Sequence, residues 1–437
     1  MYRRGGRRIN MTEASYICKV LDSYDKSLTP LEKLEKFKEE YPAIKIKVED
    51  NRLAIFNYGI GADFSDPVIQ EARGIIIDIE RNTVECFPFR KFGKYNEYYA
   101  DSIDWESSRA EEKVDGSIVK FWFDYNTGYW RWSSNSCINA SDAKLEGEEQ
   151  LSIMDIIEMT EVYQNMYSGE YNNIFYDYFE PDNTYIFELV SKYNNVIVKY
   201  EKPELYHIGI RNNINGQEFQ CKHDKHNYPG MKFPKVYDGL KSLKSCIEYT
   251  KMKMNHKEGE SSLSDVTEEG FVVVDKDFHR IKVKAPIYMI LHSIVTITDD
   301  PKAYLIEALN KNEIDVTKMS ISFPDYAHLL KYYDYQLSEF LYNARSMISI
   351  ARRLYRESNM DRKFVALKIK EDKYSAIGFL AITYLDESED VIIWEKFGMK
   401  KILKYIPDYE KLDRSYMFEQ EEKTGDSLAE EITTTCF

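Results

Sequence analysis

Lys113 stands in the run Lys113-Val114-Asp115-Gly116-Ser117, just ahead of the apolar stretch Ile118–Phe123. An amine at a turn between sheet elements can project into a cleft, and Gly116 beside it lets a phosphate or ribose approach the backbone closely. Such an amine becomes a nucleophile once it loses its proton, and neighbouring cations, a bound metal and partial burial all lower its pKa. A plain turn accounts for five residues equally well. A second signal breaks the tie. Glu269-Gly270-Phe271-Val272-Val273 opens a hairpin whose return is Ile281-Lys282-Val283-Lys284, and strand alternation puts both lysines on one face. Two cations facing one way suit a polyphosphate and, in a shared cleft, would depress the pKa of Lys113; a solvated strand face is the competing reading. A third signal is Glu188 in Tyr185-Ile186-Phe187-Glu188-Leu189-Val190. A carboxylate in an apolar run is costly to bury without a cation, metal or donor, and the alternative is an edge strand turned to water. Arg73-Gly74 ahead of Ile75-Ile76-Ile77 likewise sets a cation at a strand mouth.

The elements that must position these residues are legible from periodicity. Residues 12–40 read as short helices broken at Pro30, and Ile44, Ile46 and Val48 alternate with lysines before a turn at Glu49-Asp50-Asn51 and a return over Leu53–Tyr58. From Gly74 to about Lys284 short β-rich runs dominate: Gly74–Ile79, Ile118–Phe123, Tyr129–Ser133, Tyr185–Val190, Asn195–Tyr200, and Phe271–Val274 with Arg280–Lys284. Two helical insertions fall at about 144–180 and 236–254, the second running into a polar linker, His256–Ser264. Asp325–Ser358 lacks Gly and Pro and repeats Leu329, Leu330, Tyr333, Leu337, Phe340 and Leu341 at helical spacing, with further helices near 362–385 and 389–405. The fold class is therefore α+β: an antiparallel-sheet domain over 1–300, an all-α domain over 301–415 and an acidic, disordered tail over 416–437.

Composition limits the function classes. The 437 residues carry a formal net charge of −15, so a polynucleotide partner must meet a local basic groove rather than bulk charge. The 35 tyrosines suit aromatic-rich cores as well as base stacking. Six cysteines lie scattered, which points to free thiols in a reducing cytoplasm. No apolar run reaches a membrane span, and the basic start MYRRGGRRIN lacks a signal peptide's apolar stretch. Cys221, His223 and His226 suggest a metal but lack a fourth ligand. No GxxxxGK[ST] loop is present. Arg345, Arg352, Arg353 and Arg356 read as a solvated helix face, with RNA contact as the functional alternative.

Taken in order, KVDGS, IFELV, EEGFVVV and IKVK resemble motifs I, III, IV and V of the covalent nucleotidyltransferases, the DNA ligases, RNA ligases and mRNA capping enzymes. Further runs narrow the resemblance to the RNA ligase 1 family of T-even phage type. They are Ile55–Tyr58, Ala72–Ile75, Arg90-Lys91-Phe92 with Asn96-Glu97, Asn194–Tyr200, Ile208–Arg211, Tyr288 with Leu291-His292-Ser293, and Lys404–Pro407. The likeness covers about residues 44 to 410.

That resemblance implies a nucleotidyltransferase domain unrelated to ATP-grasp ligases, and an ATP-dependent RNA ligase joining 5′-phosphate and 3′-hydroxyl ends through lysyl-AMP and adenylated RNA. Lys113 would be the adenylated nucleophile, with Asp115 and Gly116 completing its motif. Tyr58, Arg73 and Lys91 would contact ATP, Glu188 and Glu269 would hold ribose or hydrated Mg²⁺ (Mn²⁺ substituting), and Lys282 and Lys284 the phosphates. Tyr288 would orient the metal shell, and Glu313 and Asp315 are candidates for a further metal site. The partners implied are RNA ends such as a nicked tRNA anticodon loop, with a separate polynucleotide kinase-phosphatase left open; the protein would be a monomer in the cytoplasm, that of the host if viral. Departures are Asn135 where the family carries a lysine for the substrate end, with Arg131 as a compensating cation, Gly93 where a phenylalanine is expected, and a long 144–180 insertion. A capping guanylyltransferase or a DNA ligase normally carries an OB-fold after motif V, against the helical pattern here. A catalytically inactive RNA-binding relative is the non-enzyme alternative.

Overall fold

The computed structural model describes residues 14–409 apart from 60, 146–149, 196, 222–227, 253–267, 286–287, 290–291, 293–300, 311–315, 318–319 and 321–326. The chain divides into two compact units, Met1–Met289 and Ile290–Phe437.

The first unit is built on three antiparallel sheets. One has the order β1-β2-β3-β4, from β1 (Ile44–Glu49), β2 (Leu53–Tyr58), β3 (Arg73–Asp78) and β4 (Thr83–Cys86). Asp50 and Asn51 take φ of 51° and 54°, a left-handed pair in the three-residue connection that closes on Glu49 and Leu53. Two helices, Tyr16–Ser23 and Pro30–Glu40, pack on this sheet through Ile17, Leu21, Leu34 and Phe37. Pro30 is not an interruption but the first residue of the second helix, behind a capping box formed by Thr29 and Glu32.

The second sheet has five strands ordered β10-β9-β8-β6-β7: β6 (Ser117–Asp124), β7 (Tyr129–Ser134), β8 (Asn183–Val190), β9 (Glu204–Asn212) and β10 (Glu218–Phe219). The third, β11-β5-β12-β13, joins β5 (Arg109–Glu112), β11 (Val236–Tyr237), β12 (Gly270–Val274) and β13 (Arg280–Lys284). The long insertion has a structural task. Its short helices Ile153–Glu158, Glu161–Tyr167 and Asn172–Tyr178 cover the five-stranded sheet, where Phe121, Trp132, Phe179, Tyr185, Phe187 and Tyr228 form an aromatic core. A large share of the aromatic excess is thus interior packing. The helix Leu243–Met252 lies in the second insertion, and Cys246 and Leu240 join Phe271 and Val283 in the core of the third sheet. A smaller apolar cluster groups Phe89 and Phe92, from the connection between β4 and β5, with Ile118, Ile186 and Ile208 of the second sheet and Val272 of the third.

One expected strand is absent. Asn195–Tyr200 forms no strand among its described residues, and the amides of Ile197 and Val198 donate to the Asp115 carboxylate, each at 3.0 Å, instead of to a neighbouring strand. The linker His256–Ser264, the tail 416–437 and the basic start lie outside the described residues.

In the second unit the helix Ala327–Glu357 buries Leu330, Tyr333, Leu337, Phe340, Ala344, Met347, Ile348, Ala351 and Tyr355 on one face. The expected helix over 362–385 is two, Arg362–Ile369 and Ser375–Thr383. That over 389–405 is a π-helical stretch, Val391–Gly398, followed at Gly398 (φ 86°) by an α-helix, Met399–Tyr405. Among the described residues no helix is long and apolar enough to cross a membrane, and Cys18, Cys86, Cys137, Cys221 and Cys246 are free.

Candidate functional site

The cluster is assembled by register. In the third sheet Gly270 faces Lys284, Val272 faces both Lys282 and Glu111, and Val274 faces both Arg280 and Arg109. A strand's side chains repeat every second residue, so Arg280, Lys282 and Lys284 share one face of β13. Lys113 follows β5 directly, and its amide donates to the Gly270 carbonyl at 2.9 Å. Glu269, one residue ahead of β12, is thereby set between two amines. Its carboxylate accepts from Lys113 Nζ at 2.5 Å through one oxygen and pairs with Lys284 Nζ at 2.7 Å through the other.

Glu188 lies on β8, an interior strand of the five-stranded sheet, and is 9% exposed. The edge-strand reading is thus overturned. Burial pushes its carboxyl up to about 7; Lys113 and Arg73 oppose that rise and Glu269 adds to it. Burial alone would lower Lys113, but the carboxylates of Glu269 and Glu188, and the hydrogen bond to Glu269, carry it above the ordinary lysine value. The expectation of a depressed Lys113 is therefore not met in this state: the amine is an ion-paired ammonium. The strongly depressed amine is Lys282, lowered by burial and then by Arg73, Lys91, Lys113 and Lys284; its Nζ sits 4.7 Å from the Phe92 ring centre.

Tyr58, Arg73 and Lys91 come together at the ends of β2 and β3. Lys91 Nζ donates to Tyr58 Oη at 3.2 Å, and the Arg73 guanidinium lies 5.4 Å from the Phe92 ring centre. Burial depresses Arg73, with Tyr58 and Glu188 opposing. The structure thus brings Lys113, Glu188, Glu269, Lys282, Lys284, Arg73, Tyr58 and Lys91 into one electrostatically linked group.

Asp115 and Gly116 pack closely against neighbouring parts of the chain. Asp115 is buried; besides the two amides, one of its oxygens accepts from Tyr288 Oη at 2.7 Å. Its carboxylate is a clamp on the 197–198 segment, and Tyr288 holds that clamp. At Gly116 an added Cβ would meet the Leu189 carbonyl and come within 2.9 Å of Val190 Cγ1, so the missing side chain makes room for β8. Arg131, the candidate compensating cation for Asn135, pairs with Glu49 at 2.6 Å and Asp124 at 3.5 Å, against the Trp122 ring. Glu313, Asp315, His223 and His226 lie outside the described residues. Arg345 pairs with Asp390, and Arg352 donates to the carbonyls of Tyr384, Leu385 and Glu387.

The alternating pattern does not single out Lys120, in the middle of β6 and fully buried. The signal that marks Glu188, a charge inside an apolar run, marks it equally: Ile118-Val119-Lys120-Phe121-Trp122.

By sequence the chain is similar to RNA ligases of the nucleotidyltransferase superfamily. It is 28% identical over 309 residues to a protein of Autographa californica nuclear polyhedrosis virus provisionally named a bifunctional polynucleotide kinase/RNA ligase, covering 66% of this chain and 40% of that one. It is 23% identical over 315 residues to an RNA ligase of Rhodothermus phage RM378, covering 60% of this chain and 68% of that one. A solved archaeal ATP-dependent RNA ligase overlaps 72% of this chain and 79% of its own at a TM-score of 0.38 and 12% identity, a distant likeness that bears no functional weight. No family model matches the chain.

Proposed function

We propose that the chain is an ATP-dependent RNA ligase whose nucleophile is Lys113. The observation that carries this reading is the Glu269 carboxylate shared by Lys113 and Lys284, with Glu188 buried alongside and Lys282 and Arg73 near at hand. In the first step the Lys113 nitrogen, freed of its proton, attacks the α-phosphorus of ATP. A P–N bond forms, the bridging P–O bond to the β-phosphate breaks, and pyrophosphate leaves against Lys282 and Lys284. A 5′-phosphate oxygen of RNA then attacks the same phosphorus, the P–N bond breaks and Lys113 recovers its proton. Finally a 3′-hydroxyl attacks the 5′-phosphate, losing its proton, and AMP departs.

The donor set fits a divalent metal. Two buried carboxylates beside phosphate-binding amines offer the hard oxygen ligands that Mg²⁺ or Mn²⁺ takes, and Glu188 and Glu269 would hold it. Bound there, such an ion would offset the carboxylate charge that holds the proton on Lys113 and neutralise phosphate oxygens. Tyr58, Arg73 and Lys91 would then orient the nucleotide. We assign the helical unit to substrate choice, with nicked tRNA as the favoured RNA. A polynucleotide kinase, named beside RNA ligase in the nuclear polyhedrosis virus relative, would supply the 5′-phosphate.

The test is incubation with Mg²⁺ and ATP or GTP labelled at the α-phosphate, on protein first stripped of AMP by pyrophosphate. Acid-stable label from ATP, lost in Lys113→Ala, is expected. Label from GTP would move the protein to capping guanylyltransferases. No label from either would leave an RNA-binding protein without this chemistry.

A further inference from the structure

Gly74 interrupts the pairing of β3 with β2. Ile75 faces Phe56 and Arg73 faces Asn57, with a register shift between Phe56 and Asn57, so Gly74 is the extra residue of a bulge, with φ at +81°. Bulges of this kind re-aim a neighbouring side chain. Here the neighbour is Arg73, one of the cations of the proposed ATP site. Lys120 Nζ, reaching from β6 of the five-stranded sheet, donates to the Gly74 carbonyl at 2.5 Å.

Three features set this lysine apart. It is fully buried, and among the described residues no carboxylate is ion-paired with it. Burial is the main influence on its amine, holding it down to about 8, and the Arg73 charge pushes the same way. Its surroundings are close-packed: a Cβ on Gly74 would lie 2.7 Å from Lys120 Nζ and 2.6 Å from the Asn135 carbonyl oxygen. An apolar side chain of similar length would fill this space without the penalty of an uncompensated amine. What the amine adds is a partner for a bulge carbonyl.

We propose that Lys120 is a positioning residue for nucleotide binding: by gripping the Gly74 carbonyl it fixes the bulge that aims Arg73 into the site. This rests on the ligase reading above. The hydrogen bond joins a strand of the first sheet to one of the second, so the direction of Arg73 depends on a residue that need not touch the nucleotide.

The experiment follows the initial rate of lysyl-AMP formation against ATP concentration for wild type, Lys120→Met and Lys120→Gln, each also combined with Arg73→Ala. Circular dichroism and melting temperature establish folding. Lys120→Met is expected to raise the KM for ATP about tenfold, a hydrogen bond's worth, with the rate at saturating ATP within about twofold of wild type. Lys120→Gln, whose amide can still donate, should raise KM about threefold. Neither should raise it further once Arg73 is alanine. A wild-type KM in folded Lys120→Met, or an undiminished effect in the Arg73→Ala background, overturns the proposal. If Lys120→Met does not fold, the Lys120→Gln pair decides on the same criteria. A wild type that forms no adduct refutes the ligase reading instead; equilibrium binding of ATP to the same variants then carries the comparison.

Discussion

Glu188 and Lys113 hold opposite positions in one electrostatic argument. Glu188 is buried and Lys113 only partly exposed, yet Glu188 is left largely to desolvation while Lys113 is held charged by two carboxylates. Glu188 therefore opposes folding whenever it is ionised. Near pH 4 it is protonated in the folded chain and largely so in the unfolded one. As pH rises the unfolded chain ionises first, around the ordinary value of 4.5, and the folded chain follows at about 7. Stability is lost across that interval and the penalty is constant above it. Glu188→Gln, always neutral, should match wild type near pH 4 and exceed it at pH 8 by about 3 kcal/mol, at about 1.4 kcal/mol per tenfold difference in proton affinity. It should also lose lysyl-AMP formation. Urea unfolding at the two pH values checks the first point, and an equal difference at both would sink it. Glu269→Gln should behave in the opposite sense. Its carboxylate is held below the ordinary range because Lys113 and Lys284 outweigh burial, so removing it strands two amines and should cost about 3 kcal/mol at neutral pH. Stability of wild type relative to that variant should fall away only as acid protonates Glu269.

At the scale of elements, the turn between β5 and β6 is tied to two other parts of the chain through Asp115. Its carboxylate accepts from the amides of Ile197 and Val198 and from Tyr288 Oη, and its own amide donates to Tyr200 Oη at 3.3 Å. Asp115→Ala would leave buried donors without an acceptor and should cost several kcal/mol, at about 1–3 kcal/mol per unsatisfied group. Tyr288→Phe removes one donor and leaves the carboxylate its two amides, so it should cost about 1 kcal/mol and keep most of the adenylation rate. Denaturant melts of both variants test this, and equal losses would show that the clamp works through the tyrosine. The same residues show where sequence is sufficient and where it fails. The pattern of short β-rich runs bounded by turn residues located β6, β8, β12 and β13 to within a residue or two. It could not separate Asn195–Tyr200 from a strand, since an extended segment held by a carboxylate 82 positions away has the same local pattern. Motif order gathered the charged residues. It left open that Glu269 would bridge two lysines, that Gly116 would yield its space to β8, and that Lys120 would be buried, each of which depends on which strands become neighbours.

For the whole molecule, a net charge of −15 repels RNA at long range, so binding must come from a few close phosphate contacts. The two activities of the proposed enzyme should then separate by salt. Self-adenylation joins a small nucleotide to a buried cluster whose charges sit within a few ångströms of one another, and such pairs are weakly screened. Joining RNA ends requires release of counterions from the strand. With about four phosphate contacts to single-stranded RNA, affinity should fall roughly 50-fold between about 50 and about 200 mM salt. Lysyl-AMP formation should change by less than about twofold over the same range. The measurement is a pair of salt titrations on one preparation, reading acid-stable label in one and sealed RNA at limiting enzyme in the other. Parallel decline of both would mean that salt acts on the nucleotide site itself, and that the polynucleotide is not held by charge. Removing divalent cations with a chelator supplies the complementary control. It should abolish the label, because Glu188 and Glu269 would again hold the proton on Lys113 with nothing to offset their charge.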